Sequence, residues 1–250
     1  MVFLTITLIC FIVGIIGFII GGGFGTILTP ILVLLGFDIT DAIFTVLFAQ
    51  FFGEVVVTIL HHRVGNANFS YCSQDTKYGL LFGICGVSSI LGVFLALSVN
   101  KEFLILYNVA VLLFLGTLVL ISRFSSKRML ASKKVLLVGA IAAINKALTG
   151  GNYGPTILVG SLLLGGNVKK IVAIISLAET ITCGVALVGY FLGGVVVDGQ
   201  ILFFAVLGTL LASTPSVFLV RKIPRERLRR LIGILMILLG LMLLIGRGLI

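Results

Sequence analysis

Gly21-Gly22-Gly23-Phe24-Gly25 and Gly150-Gly151-Asn152-Tyr153-Gly154 each lead into an apolar run of only 11 residues, 26–36 and 155–165. At about 1.5 Å of rise per residue, neither run spans a hydrocarbon layer about 30 Å thick. The remaining apolar runs, at 2–20, 42–61, 78–99, 103–121, 135–148, 170–192, 200–220 and 230–249, are mostly long enough to do so. Short segments behind glycine breaks, in matching places of two halves, mark the binding region of a membrane transporter.

The two breaks belong to a repeat with a shift of 129 residues. Gly21, Gly22 and Gly25 fall on Gly150, Gly151 and Gly154, and Phe24 falls on Tyr153. Leu34-Leu35-Gly36 falls on Leu163-Leu164-Gly165, Ala49-Gln50 on Ala178-Glu179, His61 on Tyr190, and Gly65 on Gly194. The register holds without a gap from 21 to 65. The chain therefore reads as one all-α polytopic membrane domain over 1–250. The first repeat is 1–122, the second 134–250, and a basic linker at 123–133 joins them. Each repeat holds a glycine-broken half-membrane hairpin and about three full transmembrane helices.

Composition agrees. Of 250 residues 60% are hydrophobic and 10% charged, with a mean hydropathy of +1.30, which leaves too few charges for a water-facing surface. The net charge of +10 sits in short loops between apolar runs, which is topology and not a nucleic-acid face. Arg123, Lys127, Arg128, Lys133 and Lys134, and then Arg221, Lys222, Arg225, Arg227, Arg229 and Arg230, mark two cytoplasmic loops. Threading the chain between them puts both termini outside and 15 of the 18 Lys and Arg residues inside, with Lys101 and Arg247 outside and Lys146 in the membrane. Each half then crosses an odd number of times, so the halves are inverted. Residues 1–20 lack a basic n-region and a small-residue cleavage site, and read as a retained helix. Cys10, Cys72, Cys85 and Cys183 have no metal or disulfide spacing.

Broken backbone at membrane depth needs a protein interior or a water cavity. The residues beside the breaks are therefore the candidate anion site: Gly22, Gly23, Phe24, Gly25 and Thr26 in the first half; Asn145, Lys146, Gly150, Gly151, Asn152, Tyr153 and Gly154 in the second. Helix starts near Pro30 and Pro155 would offer free N–H groups to an anion. The alternative for the glycines is close packing. Lys146 is either the substrate's cationic partner, the ion-pair partner of Glu179 or Glu54, or a lysine that snorkels to the interface. Gln50, Glu54 and Glu179 form the polar core; the two acids either carry a coupling proton or only neutralise Lys146. His61 and His62 read as interfacial, and Gly79 and Gly83 as a helix contact.

The sequence resembles the sulfite exporter TauE/SafE family of permeases. The resemblance rests on Gly21 to Gly25 with Pro30 and Gly36, the Ala42 to Gly65 segment, and Thr149 to Gly154 with Gly165 and Gly194. Asn152 departs from the glycine-rich run typical there. The resemblance implies two related repeats in one domain of the cell membrane, moving sulfite, sulfoacetate or another organosulfonate, with a proton or Na⁺ as possible coupling partner. No cofactor, metal or nucleic acid is implied, and no nucleotide, metal or nucleophile motif points to an enzyme. A passive anion channel, or a permease for a different small anion, is the alternative.

Overall fold

The computed structural model describes residues 2–71, 73–121, 133–164, 168–222 and 224–246. Among them every regular element is a helix: α1 (Val2–Ile20), α2 (Phe24–Leu34), α3 (Ile39–Arg63), α4 (Gln74–Ile84), α5 (Ser89–Ser98), α6 (Lys101–Ile121), α7 (Lys133–Thr149), α8 (Tyr153–Leu164), α9 (Val168–Leu192), α10 (Gly199–Lys222) and α11 (Arg225–Gly246). A short 3-10 turn, Cys85–Ser88, joins α4 to α5. Among the described residues six spans are long and apolar enough to cross a membrane, α4 and α5 counting as one, so the chain is a multi-pass membrane protein. The linker 123–132, Gly165 and Arg247 lie outside the described residues.

The shift seen in the sequence recurs in the helix bounds. Displaced by 129 residues, α3 lands on α9 end to end, and α2 starts where α8 starts. Both breaks put a left-handed glycine first, with φ of 76° at Gly21 and 69° at Gly150, and the turns that end α3 and α9 do the same at Gly65 and Gly194. That backbone region suits glycine because it has no Cβ.

Helices cannot be driven together by apolar burial in lipid, so small residues at the contacts decide the packing. Gly14 lies against Ala212 and Gly208 against Cys10, which holds α1 parallel to α10. At the matching contact Gly139 lies against Cys85 and Gly92 against Ala147, which holds α7 parallel to the α4–α5 span. Gly79 and Gly83 rest on Leu177 and Ile181 of α9, the contact expected of them. The equivalent helices α6 and α11 run antiparallel: Gly116 meets Met236 and Ile237, Gly233 meets Leu120, and Gly240 meets Leu112 and Leu113. Large apolar side chains such as Phe94, Phe191 and Phe203 are left outward for lipid.

Three details differ from the sequence reading. The apolar run 78–99 is interrupted by the 3-10 turn. Pro30 lies inside α2 rather than at its start, and Pro155 is the third residue of α8, because both helices begin directly at the break. His61 is fully buried, bonded at Nδ1 to the Asn66 side-chain amide 2.9 Å away; only His62 is exposed, where it accepts from Phe69 N at 3.1 Å.

Candidate functional site

The two breaks meet at the centre of the protein. A Cβ on Gly25 would collide with the carbonyl oxygen of Gly150, and one on Gly154 with the carbonyl oxygen of Gly21. The two collisions are related by the repeat, since 21 maps to 150 and 25 to 154. Gly151 packs in the same way on Thr26 and Gly25, and Gly22 on Gly154 and the Glu179 carboxylate. In this conformation the glycines serve backbone-to-backbone contact, one of the two uses expected of them.

Beside this contact lies a charged cluster drawn from both halves. Lys146 (α7) donates from Nζ to Gln50 Oε1 of α3 and stands 3.3 Å from Glu179 Oε1 of α9. Gln50 Nε2 donates to Glu179 Oε2 at 3.1 Å and to Glu54 Oε1 at 3.3 Å. Gln50 and Glu179, which share one repeat position, thus touch each other. All four residues are completely buried. An ammonium at this depth is tolerable only when paired, and Glu179 pairs it. One cation here faces two carboxylates.

The other predicted residues divide into two groups. Asn145 is turned away from the charged cluster and accepts at Oδ1 from the Tyr107 hydroxyl of α6. Asn152 takes the left-handed conformation, with φ of 63°, and its N–H donates to Thr26 Oγ1 at 2.8 Å. The Asn152 side chain donates from Nδ2 to Thr149 Oγ1 at 3.1 Å and to Asn108 Oδ1 at 3.4 Å. Phe24 and Tyr153 are packing residues here: Phe24 stacks on Phe18 with ring centroids 5.7 Å apart, and the Tyr153 hydroxyl donates to Phe82 O at 3.2 Å.

Sequence reasoning passed over Asn108 and Tyr107. Asn108 is 1% exposed within the apolar run of α6, and an amide alone at that depth was the signal that could have found it. Clefts open at the two ends of α3. One of about 250 Å³ is lined by Phe37, Asp38 and Lys101; one of about 290 Å³ is lined by His62, Asn66, Asp75 and Lys170. The charged cluster lines neither.

Broken helices meeting over a buried polar centre, inside a multi-pass bundle, define a membrane permease. The chain belongs to the sulfite exporter TauE/SafE family, whose sequence profile matches residues 6–243. That family consists of membrane transporters of sulfur anions. No curated protein matches the chain.

Proposed function

We propose that this chain is a secondary transporter, working as an exporter, that moves a small sulfur-containing anion such as sulfite, sulfoacetate or another organosulfonate across the cell membrane. The observation that carries the reading is the fully buried cluster of Lys146, Gln50, Glu54 and Glu179, assembled from both halves where their glycine breaks touch. Two halves that share a polar centre in this way suit alternating access, each half rocking against the other around a fixed midplane site. Antiparallel packing of α6 on α11, equivalent elements of the two repeats, supports halves of opposite orientation in the membrane.

The charge count of the cluster gives the transport a coupling partner. One ammonium and two carboxylates leave one negative charge over, which a proton cancels. The transporter is thus read as proton-coupled, with the proton held on Glu54 or Glu179 and Na⁺ as the competing coupling ion. The substrate region is the pair of breaks, Gly22 to Thr26 and Gly150 to Gly154, with Asn145 and Lys146 beside them.

Purified protein in liposomes tests this. Export or exchange of sulfite or an organosulfonate should saturate with substrate and respond to an imposed pH gradient. Flux that never saturates and carries a steady anion current would make the protein a channel; no flux of any sulfur anion would remove the reading. Orientation is tested separately. Cysteines at positions 127 and 225, in a background without native cysteines, should stay unlabelled by an impermeant thiol reagent outside intact cells. Labelling from outside would reverse the placement of both termini on the outer side.

A further inference from the structure

Helix α7 presents different chemistry on two sides. Consecutive helical residues point about 100° apart, so Lys146 and Asn145 face different neighbours. Lys146 is engaged by Gln50 and Glu179. Asn145 meets α6 through Tyr107. One turn on, Thr149, Asn152 and Asn108 extend this second compartment, and each is at most 1% exposed. Thr149 Oγ1 donates to Asn145 O at 2.7 Å, and Asn152 Nδ2 bridges Thr149 and Asn108. These five side chains include no carboxylate and no cation.

Among the described residues, two polar atoms in the compartment have no partner. Asn108 Nδ2, a donor, and Asn152 Oδ1, an acceptor, are both buried and unbonded. A buried amide normally makes its hydrogen bonds, and leaving one unmade is costly. Beside them α8, a helix of 12 residues, begins at Tyr153. Its first N–H groups have no acceptor within the helix, and its dipole favours a negative charge at that end. The compartment therefore offers hydrogen-bond donors without a full positive charge. A dianion gives up far more hydration than a monoanion and needs a full countercharge in return. The nearest cation, Lys146, is already matched by Glu179.

We infer that this uncharged compartment, between α6, α7 and the start of α8, holds the headgroup of a monoanionic sulfonate or hydrogensulfite, with Asn108 Nδ2 as a specificity-determining donor. The inference rests on reading the chain as a sulfur-anion permease; it adds where the headgroup sits and which charge state is selected. Asn152 Oδ1 is left to accept from a hydroxyl on the ligand. The charged cluster on the other side of α7 then serves coupling rather than direct contact with the anion.

Isothermal titration of the full chain in detergent tests this with methanesulfonate and 2-hydroxyethanesulfonate as monoanions and sulfate as dianion. Wild type should bind a monoanion at least about tenfold more tightly than sulfate. Asn108→Leu should lose at least about tenfold in monoanion affinity with little change in its ligand-free melting temperature, because loss of the unbonded donor offsets loss of the long bond from Asn152, which keeps Thr149 as acceptor. A purely structural Asn108 would give the reverse, a lower melting temperature with affinity kept. Asn108→Ala provides the same two readouts if the leucine variant does not insert. Affinity within about threefold of wild type in the variants, or sulfate binding as tightly as the monoanions, would overturn the inference alone. Wild type that binds none of the three anions would overturn the permease reading together with it.

Discussion

The first break and the second are the same backbone device with different side chains. Both tie two helices together by glycine contact, and the contacts mirror each other: Gly25 on the Gly150 carbonyl, Gly154 on the Gly21 carbonyl. The second left-handed residue, however, falls one place later in the second break: it is Gly22 in the first and Asn152 in the second, whose repeat equivalent, Gly23, has a φ of −83°. Asparagine is the residue besides glycine that visits this region most readily, and it brings an amide with it. The neighbours differ to match. α2 packs on α11, which is apolar from Leu231 to Gly246, whereas α8 packs on α6, which carries Asn108. Both halves keep the glycine contact between the breaks, while neutral polar chemistry gathers beside the second break alone, where Tyr107 and Asn108 of α6 meet Asn145, Thr149 and Asn152. The charged cluster, like the glycine contact, draws on both halves equally, with Gln50 and Glu54 from the first and Lys146 and Glu179 from the second.

If the backbone device is shared, breaking it in either half should cost the same. Gly25→Ala and Gly154→Ala each force a methyl group into a carbonyl oxygen of the opposite break. Backbone cannot yield as a side-chain tip does, so each should lose at least the ~3 kcal/mol that overpacking reaches, and both should abolish transport. Thermal unfolding in detergent reads the first quantity and liposome flux the second. A large loss in one variant with a mild one in the other would mean that the two breaks are not equivalent.

The charged cluster should respond next most strongly, because it is the part both halves own. Lys146→Met leaves Glu179 and Glu54 buried without a cation, at a cost of about 3–5 kcal/mol. Lys146→Met combined with Glu179→Gln removes one of the stranded charges and should recover part of that loss. A double-mutant cycle from melting curves gives the coupling, expected at about 1–3 kcal/mol. Additive losses would show that Lys146 and Glu179 do not depend on each other.

A smaller effect sharpens the difference between the breaks. Asn152→Gly gives the second break the same three leading glycines as the first. The left-handed backbone is kept, while the bonds to Thr149 and Asn108 are lost, for about 1 kcal/mol. The protein should insert and fold, with weakened binding of sulfonates by titration. Unchanged binding would assign Asn152 to backbone shape alone.

The sequence reading went furthest where a physical rule was strict. Two glycine clusters ahead of runs too short to span a bilayer located both breaks, and one shift paired α3 with α9 to the residue. Lys146, Glu54 and Glu179 stood out because ionised groups are costly at that depth. Which acid held the lysine was not legible, since it depends on how α7 rotates against α9. Asn108 was missed because a neutral amide carries a weaker penalty and so a weaker signal. His61 reads as interfacial because it ends an apolar segment, while α3 in fact turns it inward against Asn66, whose amide also reaches Val217 O. The helix starts were set late by giving Pro30 and Pro155 the first helical position, a preference that the break itself overrode.

The smallest expected effect lies at the mouth of the first half and has no counterpart in the second. Asp38 caps α3, accepting from Thr40 N at 2.9 Å, and pairs with Lys101 at the start of α6. The repeat places Asn167, which has no charge, at the equivalent position. Partial burial pushes the Asp38 carboxyl up, but the Lys101 hydrogen bond, the Thr40 N–H and the charge of Lys101 together outweigh it and hold the group below the usual Asp range. A carboxylate lowered on folding stabilises above its unfolded pKa, near 3.9, and that stabilisation disappears as the pH falls through the lower folded value. Asp38→Asn keeps a good helix cap and removes the ion pair. It should therefore melt slightly below wild type at pH 7, by less than about 1 kcal/mol since the pair is largely exposed. The two melting curves should converge as the pH falls through the lowered folded value of Asp38, where wild type has also lost its charge. A gap that persists in acid would mean that the variant disturbs the cap instead. A gap that closes at pH 7 in molar salt, which screens exposed pairs, would confirm that the ion pair alone sets it.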